Sequence, residues 1–85
     1  MSNEVIIYTK QHCPYCVRAL DLLGSKKIQF TEIKIDDSPE KREEMIERSQ
    51  RKTVPQIFIN GKPVGGCDDL FALNETGALN HLQGV

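Results

Sequence analysis

Long apolar runs, an excess of either charge and cysteines in quantity are all missing from this 85-residue chain. No stretch approaches the ~20 apolar residues of a membrane-spanning helix. The opening Met1-Ser2-Asn3-Glu4 lacks the basic and apolar regions of a secretory leader, so a cytosolic setting is expected. Eleven basic against 12 acidic residues leave a net charge of −1. With no basic stripe or acidic tail, nothing draws the phosphates of nucleic acid or an anionic membrane from a distance. Internal repeats, low-complexity tracts and linkers are absent too, and the length leaves room for one domain, 1–85, near the small end of what folds unaided. Three cysteines are too few, and too odd in number, for a disulfide scaffold. They are candidates for chemistry instead.

What is present reads as alternating strands and helices. Glu4 to Thr9 is a β-branched and aromatic run, too continuous for a half-exposed strand and suited to a central one buried on both faces. Pro14 marks a helix start, because its missing N–H would have been unpaired there anyway. The apolar stripe of that helix runs Cys16, Ala19, Leu20, Leu23, with Gly24 as its stop. In the next strand Ile28 and Phe30 alternate in one phase and Ile33 and Ile35 in the other, which predicts a strand over 30–35 with Ile28 packing from the loop. Ser38-Pro39 caps a second helix of about ten residues, with Glu40 in its first turn and Arg48 near its end. Gln56 to Ile59 is a strand, Asn60-Gly61 a hairpin turn, and Lys62 to Gly66 the partner strand, an edge because it holds Pro63. Asp68-Asp69 caps a last helix, interrupted near Gly77 before Leu79 and Leu82. The order β-α-β-α-β-β-α implies a parallel pair by right-handed crossover plus an antiparallel hairpin. The expected α/β fold is a four-stranded mixed sheet with three helices over its two faces.

Cys13-Pro14-Tyr15-Cys16 puts one thiol at the N-cap of a helix and the other one turn later, just after a strand. A C-x-x-C in that context reads as redox-active. The unpaired N–H groups and positive dipole end of a helix favour a thiolate at Cys13, with Lys10 three residues upstream adding charge. Cys13 is thus the expected nucleophile, and Cys16, on the apolar stripe, the buried resolving thiol. Three plainer readings compete. A structural staple is a poor one, since closing four residues restricts the unfolded chain by only about 2 kcal/mol, against ~4.7 kcal/mol for a 100-residue loop. A zinc site would need two more ligands from Cys67, His12 and His81, with no second C-x-x-C present. Ordinary core cysteines would not flank what looks like an exposed helix start at Pro14 and Tyr15.

Cys-Pro-Tyr-Cys after a Tyr8-Thr9-Lys10 strand end, then Thr53-Val54-Pro55, then Gly65-Gly66-Cys67-Asp68-Asp69, closely resembles glutaredoxins of the small bacterial dithiol type. The resemblance spans nearly the whole chain. It implies the thioredoxin fold, a cis peptide before Pro55 facing the cysteines, and a redox disulfide between Cys13 and Cys16. Glutathione is the implied co-substrate, glutathionylated or disulfide-containing proteins such as ribonucleotide reductase the implied clients, a monomer the expected state, and no metal is implied.

Glutathione carries two carboxylates and one ammonium, so its site needs two anion-binding points and one acceptor. Lys10, with Arg51 or Lys52 before Thr53, suits the glycyl carboxylate. The backbone N–H groups of Cys67 and Asp68 at the last helix's start suit the γ-glutamyl carboxylate. Gly65 and Gly66 allow close approach there, and Asp68 or Asp69 can accept from the ammonium. The resemblance further implies that the Val54 backbone pairs with the cysteinyl unit, next to Thr53 and Pro55, and that Tyr15 flanks the sulfur. Taken singly, the basic residues also read as solvated surface charge and the two aspartates as helix caps.

Two alternatives to this function stay open at the level of sequence. One is a thioredoxin-type reductase recharged by a flavoprotein; the other is an iron–sulfur carrier bridged by Cys13 and glutathione, against which Pro14 and Cys16 argue by family pattern. Cys67 reads either as a small buried residue or as an oxidation-sensitive thiol. His12 adjoins Cys13 in sequence, but neighbours in a chain usually diverge, and His81 is expected on the surface.

Overall fold

In a computed structural model the described residues are 4–79. The elements run β1 (Val5–Thr9), α1 (Pro14–Ser25), β2 (Thr31–Lys34), α2 (Pro39–Ser49), β3 (Gln56–Ile59), β4 (Lys62–Gly65) and α3 (Cys67–Glu75). One four-stranded sheet has the order β2-β1-β3-β4. β1 is parallel to β2 and antiparallel to β3, and β3 is antiparallel to β4. The expected thioredoxin-fold topology is therefore present, with β1 central and Pro63 on an edge.

Side-chain alternation divides the sheet between two cores. Val5, Ile7 and Ile57 face Ala19 and Leu23 of α1 and Leu70 of α3, all buried, with Leu79 joining them from beyond α3. Tyr8 and Phe58 face the other way, against Ile35 and Met45. Their rings meet edge to face at 5.6 Å, and the Tyr8 hydroxyl donates to Glu44 of α2. The change of phase in the second strand has its cause here: Ile28 and Phe30 pack into the first core, Ile33 and Ile35 into the second. β2 is correspondingly shorter than the expected 30–35, with Ile28 buried from the loop.

Local signals account for most boundaries. The Ser38 hydroxyl accepts from Lys41 N–H at 3.3 Å, capping α2 ahead of Pro39. Asn60 and Gly61 both take positive φ, 52° and 83°, as the hairpin requires. Three further boundaries differ from expectation. Gly24 does not stop α1, which runs to Ser25 and turns at Lys27 (φ 57°); a glycine with a helical backbone is tolerated in a last turn held by packing. β4 ends at Gly65 rather than Gly66. Finally, α3 is capped by Gly66, so Asp68 and Asp69 lie inside its first turn, where Asp69 reaches back to accept from Gly66 N–H at 3.0 Å. The helix ends at Glu75, just before Gly77, while His81 and Leu82 lie outside the described residues.

Candidate active site

The first turn of α1 meets the loop before β3 and the start of α3 at the C-terminal end of β1. Two fastenings hold the segment that carries the first cysteine. Gln11 N–H donates to both carboxylate oxygens of Asp36, at 3.0 and 2.9 Å, tying the β1–α1 turn to the end of β2. His12 then takes φ 59°, which swings the chain into the helix and leaves its own side chain exposed. Among the described residues no hydrogen bond joins His12 to Cys13.

Cys13 is the N-cap of α1, and its Sγ accepts from Cys16 N–H at 3.2 Å. A helix-start donor is thus aimed at the sulfur. On the other side the Cys13 thiol faces the Val54 carbonyl at 3.9 Å, and the Val54–Pro55 peptide is cis, as the resemblance implied. Cys16 is the deeper thiol, 2% exposed against 8% for Cys13. Burial above all, then its hydrogen bond to Cys13, pushes the Cys16 thiol up to about 12, with the Lys10 backbone opposing and the Glu32 carboxylate adding to the rise. At that value Cys16 is protonated at neutral pH. Both are free thiols, one helical turn apart, with a route to a disulfide between them.

Beside the pair lies a shallow groove of about 330 Å³ lined by Tyr15, Thr53, Val54 and Pro55 on one side and Gly66, Cys67, Asp68 and Asp69 on the other, with Arg51 at its rim. Tyr15 is 55% exposed and has the Arg18 guanidinium 5.9 Å from its ring centre. Arg51 donates to Asp69 at 2.9 Å across the groove. The Gly66 N–H, followed by Arg51, holds the Asp69 carboxyl below the usual range. Gly65 sits behind this contact at φ 120°, its backbone so near Asp69 that a side chain has no room. Cys67 is buried, and burial, reinforced by Asp68, pushes its thiol up.

The groove thus collects nine of the twelve expected binding residues, Arg51 among them, and leaves Gly65, Lys10 and Lys52 outside its lining. Lys10 and Lys52 are exposed and do not line it. The cation drawn into the lining is Arg51, because Asp69 on α3 binds it. That same bond occupies the Asp69 carboxylate, leaving Asp68 as the groove's acidic group without an ion pair among the described residues. Contacts that the sequence concealed include Asp36 under the β1–α1 turn and the Thr9 hydroxyl donating to Glu32 at 2.7 Å. Neither carries a local signal beyond its residue type. Among the described residues no three His, Cys, Asp or Glu side chains are grouped to hold a metal ion.

A dithiol at a helix start, one partner kept protonated, on a thioredoxin-type sheet defines a thiol–disulfide oxidoreductase. Comparison with known proteins narrows the class. The glutaredoxin family model matches residues 5–64. Glutaredoxin 3 of Escherichia coli K12 is 59% identical over 82 residues, covering 96% of this chain and 98% of the relative, and a glutaredoxin of Pseudomonas aeruginosa is 50% identical over 78 residues, 92% and 93%. Among solved structures, glutaredoxin from Brucella melitensis superposes with a TM-score of 0.80 at 56% identity, covering 93% of this chain and 86% of that one. A buckwheat glutaredoxin–glutathione complex gives 0.84 at 26% identity, with coverage of 94% and 76%. The chain belongs to the glutaredoxin family, whose members are glutathione-dependent oxidoreductases.

Proposed function

We propose that this glutaredoxin removes glutathione from mixed disulfides on proteins and small molecules through Cys13, and reduces protein disulfides, such as that of ribonucleotide reductase, through Cys13 and Cys16 together. The Cys13 thiolate attacks the glutathione sulfur of the mixed disulfide. The Cys13–glutathione bond forms, the substrate's S–S bond breaks, and the substrate leaves as a thiolate that takes a proton from solvent. A second glutathione thiolate then attacks the sulfur held on Cys13, releasing glutathione disulfide. Alternatively the Cys16 thiol displaces glutathione, its proton passing to the departing thiolate, and the resulting Cys13–Cys16 disulfide is reduced later by glutathione.

One observation carries this reading: Val54, whose carbonyl faces the Cys13 thiol, lines a groove that also takes in the helix start of Cys67–Asp68. Among the described residues Val54 makes no backbone-to-backbone hydrogen bond, and its carbonyl is met only by the long 3.9 Å contact from the Cys13 thiol, so its backbone can pair strand-like with a cysteinyl unit. The unpaired N–H groups of a helix start suit the γ-glutamyl carboxylate, with Asp68 available to its ammonium and Arg51 to the glycyl carboxylate. The buckwheat glutaredoxin solved as a complex with glutathione supports glutathione as the ligand. Regeneration of the dithiol by glutathione after each turnover suits a reducing compartment such as the cytosol, and the chemistry needs only one copy of this one domain.

The test is activity on a glutathionylated peptide. Cys16→Ser retains deglutathionylation and loses reduction of protein disulfides, whereas Cys13→Ser abolishes both. Deglutathionylation persisting in Cys13→Ser would refute the assignment.

A further inference from the structure

The Val54 backbone is the centre of the proposed glutathione site, and a role for the side chain that holds it rests on that reading. Among the described residues neither Thr53 nor Val54 is tied down by a backbone-to-backbone hydrogen bond. The segment is fastened instead by a side chain. Gln56, the first residue of β3, lies opposite Tyr8 and is 1% exposed. Its Nε2 donates to the Thr53 carbonyl at 3.0 Å and to the Thr53 hydroxyl at 3.3 Å, closing a ring around Val54 and Pro55. Among the described residues the other end of the amide, Oε1, is buried with no partner. Exchanging the two amide atoms would set an oxygen against the Thr53 carbonyl, so the neighbours fix the orientation.

This arrangement is uneconomical if the side chain only fills space. A buried acceptor left unpaired destabilises the fold, and an apolar side chain of similar length avoids it. The donor end makes a different contribution. Thr53 is exposed, so water can satisfy its carbonyl equally well; what water cannot do is restrict the loop. An amide anchored in β3 removes conformers of Thr53 and Val54 before a ligand arrives, and binding then has fewer to freeze out.

We propose that Gln56 is a positioning residue: its amide holds Thr53, and through it the Val54 backbone, in the geometry that receives the glutathionyl unit.

Gln56→Met removes both donors and the orphaned oxygen while keeping length and volume. The whole chain is titrated with S-methylglutathione, an unreactive thioether, and followed by backbone amide shifts, with thermal unfolding measured in parallel. In the unsubstituted protein, shifts at Thr53 and Val54 check the site itself; without them the proposed glutathione site is wrong and Gln56 has nothing to position. Given those shifts, the substitution raises the dissociation constant about tenfold and lowers the Val54 order parameter from the ~0.85 of rigid backbone toward ~0.6, while the thermal midpoint holds or rises. Unchanged affinity overturns the inference. So does weaker binding accompanied by a lower midpoint, which marks a merely structural role. Gln56→Glu, which keeps the shape but replaces the donor by an acceptor, is expected to weaken binding as well, and full affinity in that variant also overturns it.

Discussion

Gly65→Ala is the sharpest single test of how the groove is built. At φ 120° an L-residue is strained, a cost of about 1–3 kcal/mol. The new Cβ also collides with Asp69, lying 2.7 Å from its Cγ and 2.9 Å from its Cβ. The Asp69 Cβ is fixed to the helix, so the backbone must give slightly, while the carboxyl end can rotate and must turn aside. Its hydrogen bond from Gly66 N–H, which closes the first turn of α3, is then lost at about 1 kcal/mol, and the exposed pair with Arg51 adds a few tenths at most. The sum is a loss of about 2–4 kcal/mol, equivalent to a fall of roughly 10–25 °C in the thermal midpoint of a domain this size. Urea unfolding of Gly65→Ala, of Asp69→Ala and of the double variant separates the parts. With the carboxylate already gone, only the backbone strain and the Cβ contact remain, so the second substitution costs less than the first alone. A loss under about 1 kcal/mol, or costs that simply add, would refute the account of a glycine required by Asp69.

The thiol asymmetry predicts labelling. With Cys16 at about 12, ~1 in 10⁵ of its side chains is thiolate at pH 7. Brief iodoacetamide treatment of the reduced protein therefore marks Cys13 and leaves Cys16 and Cys67 unmarked by peptide mass mapping. Labelling of Cys16 rises about tenfold per pH unit until near pH 12; equal labelling of Cys13 and Cys16 at pH 7 contradicts the assignment. Asp69 predicts an acid limb. Its folded pKa lies below the unfolded value of about 3.9. The stability it contributes is therefore present above that pH and is lost as pH falls through the folded value. Asp69→Asn is less stable than the parent at pH 7, and the difference shrinks below about pH 4. A difference independent of pH would show that the charge does not matter.

Local chemistry made the elements legible. Pro14, Ser38 and the Asn60-Gly61 pair act within a few residues of themselves, and the β-branched run of β1 states its own burial on both faces. The dithiol was legible for the same reason, since Cys13 and Cys16 are three residues apart and a helix start lies between them. Boundaries departed from expectation where two signals overlap over a short span. Asp68 and Asp69 have the composition of a helix cap, but Gly66 takes that position and Asp69 closes the turn from inside.

The sequence by itself determined the order of strands and helices and the placing of Cys13 and Cys16 at one helix start, because each depends on signals close along the chain; chain-connection rules then turned that order into the thioredoxin-type topology. Tertiary structure decided which distant groups share the groove. The Val54 carbonyl meets Cys13 across 41 residues, and Arg51 meets Asp69 across 18. Only there was Arg51 selected from among Lys10, Arg51 and Lys52 as the groove's cation, and only there did Gln56 become the fastening for Thr53. Such pairings depend on how α1, α3 and the loop before β3 are docked on the sheet. Side-chain type limits what each residue can do, and the docking selects which neighbour it does it with.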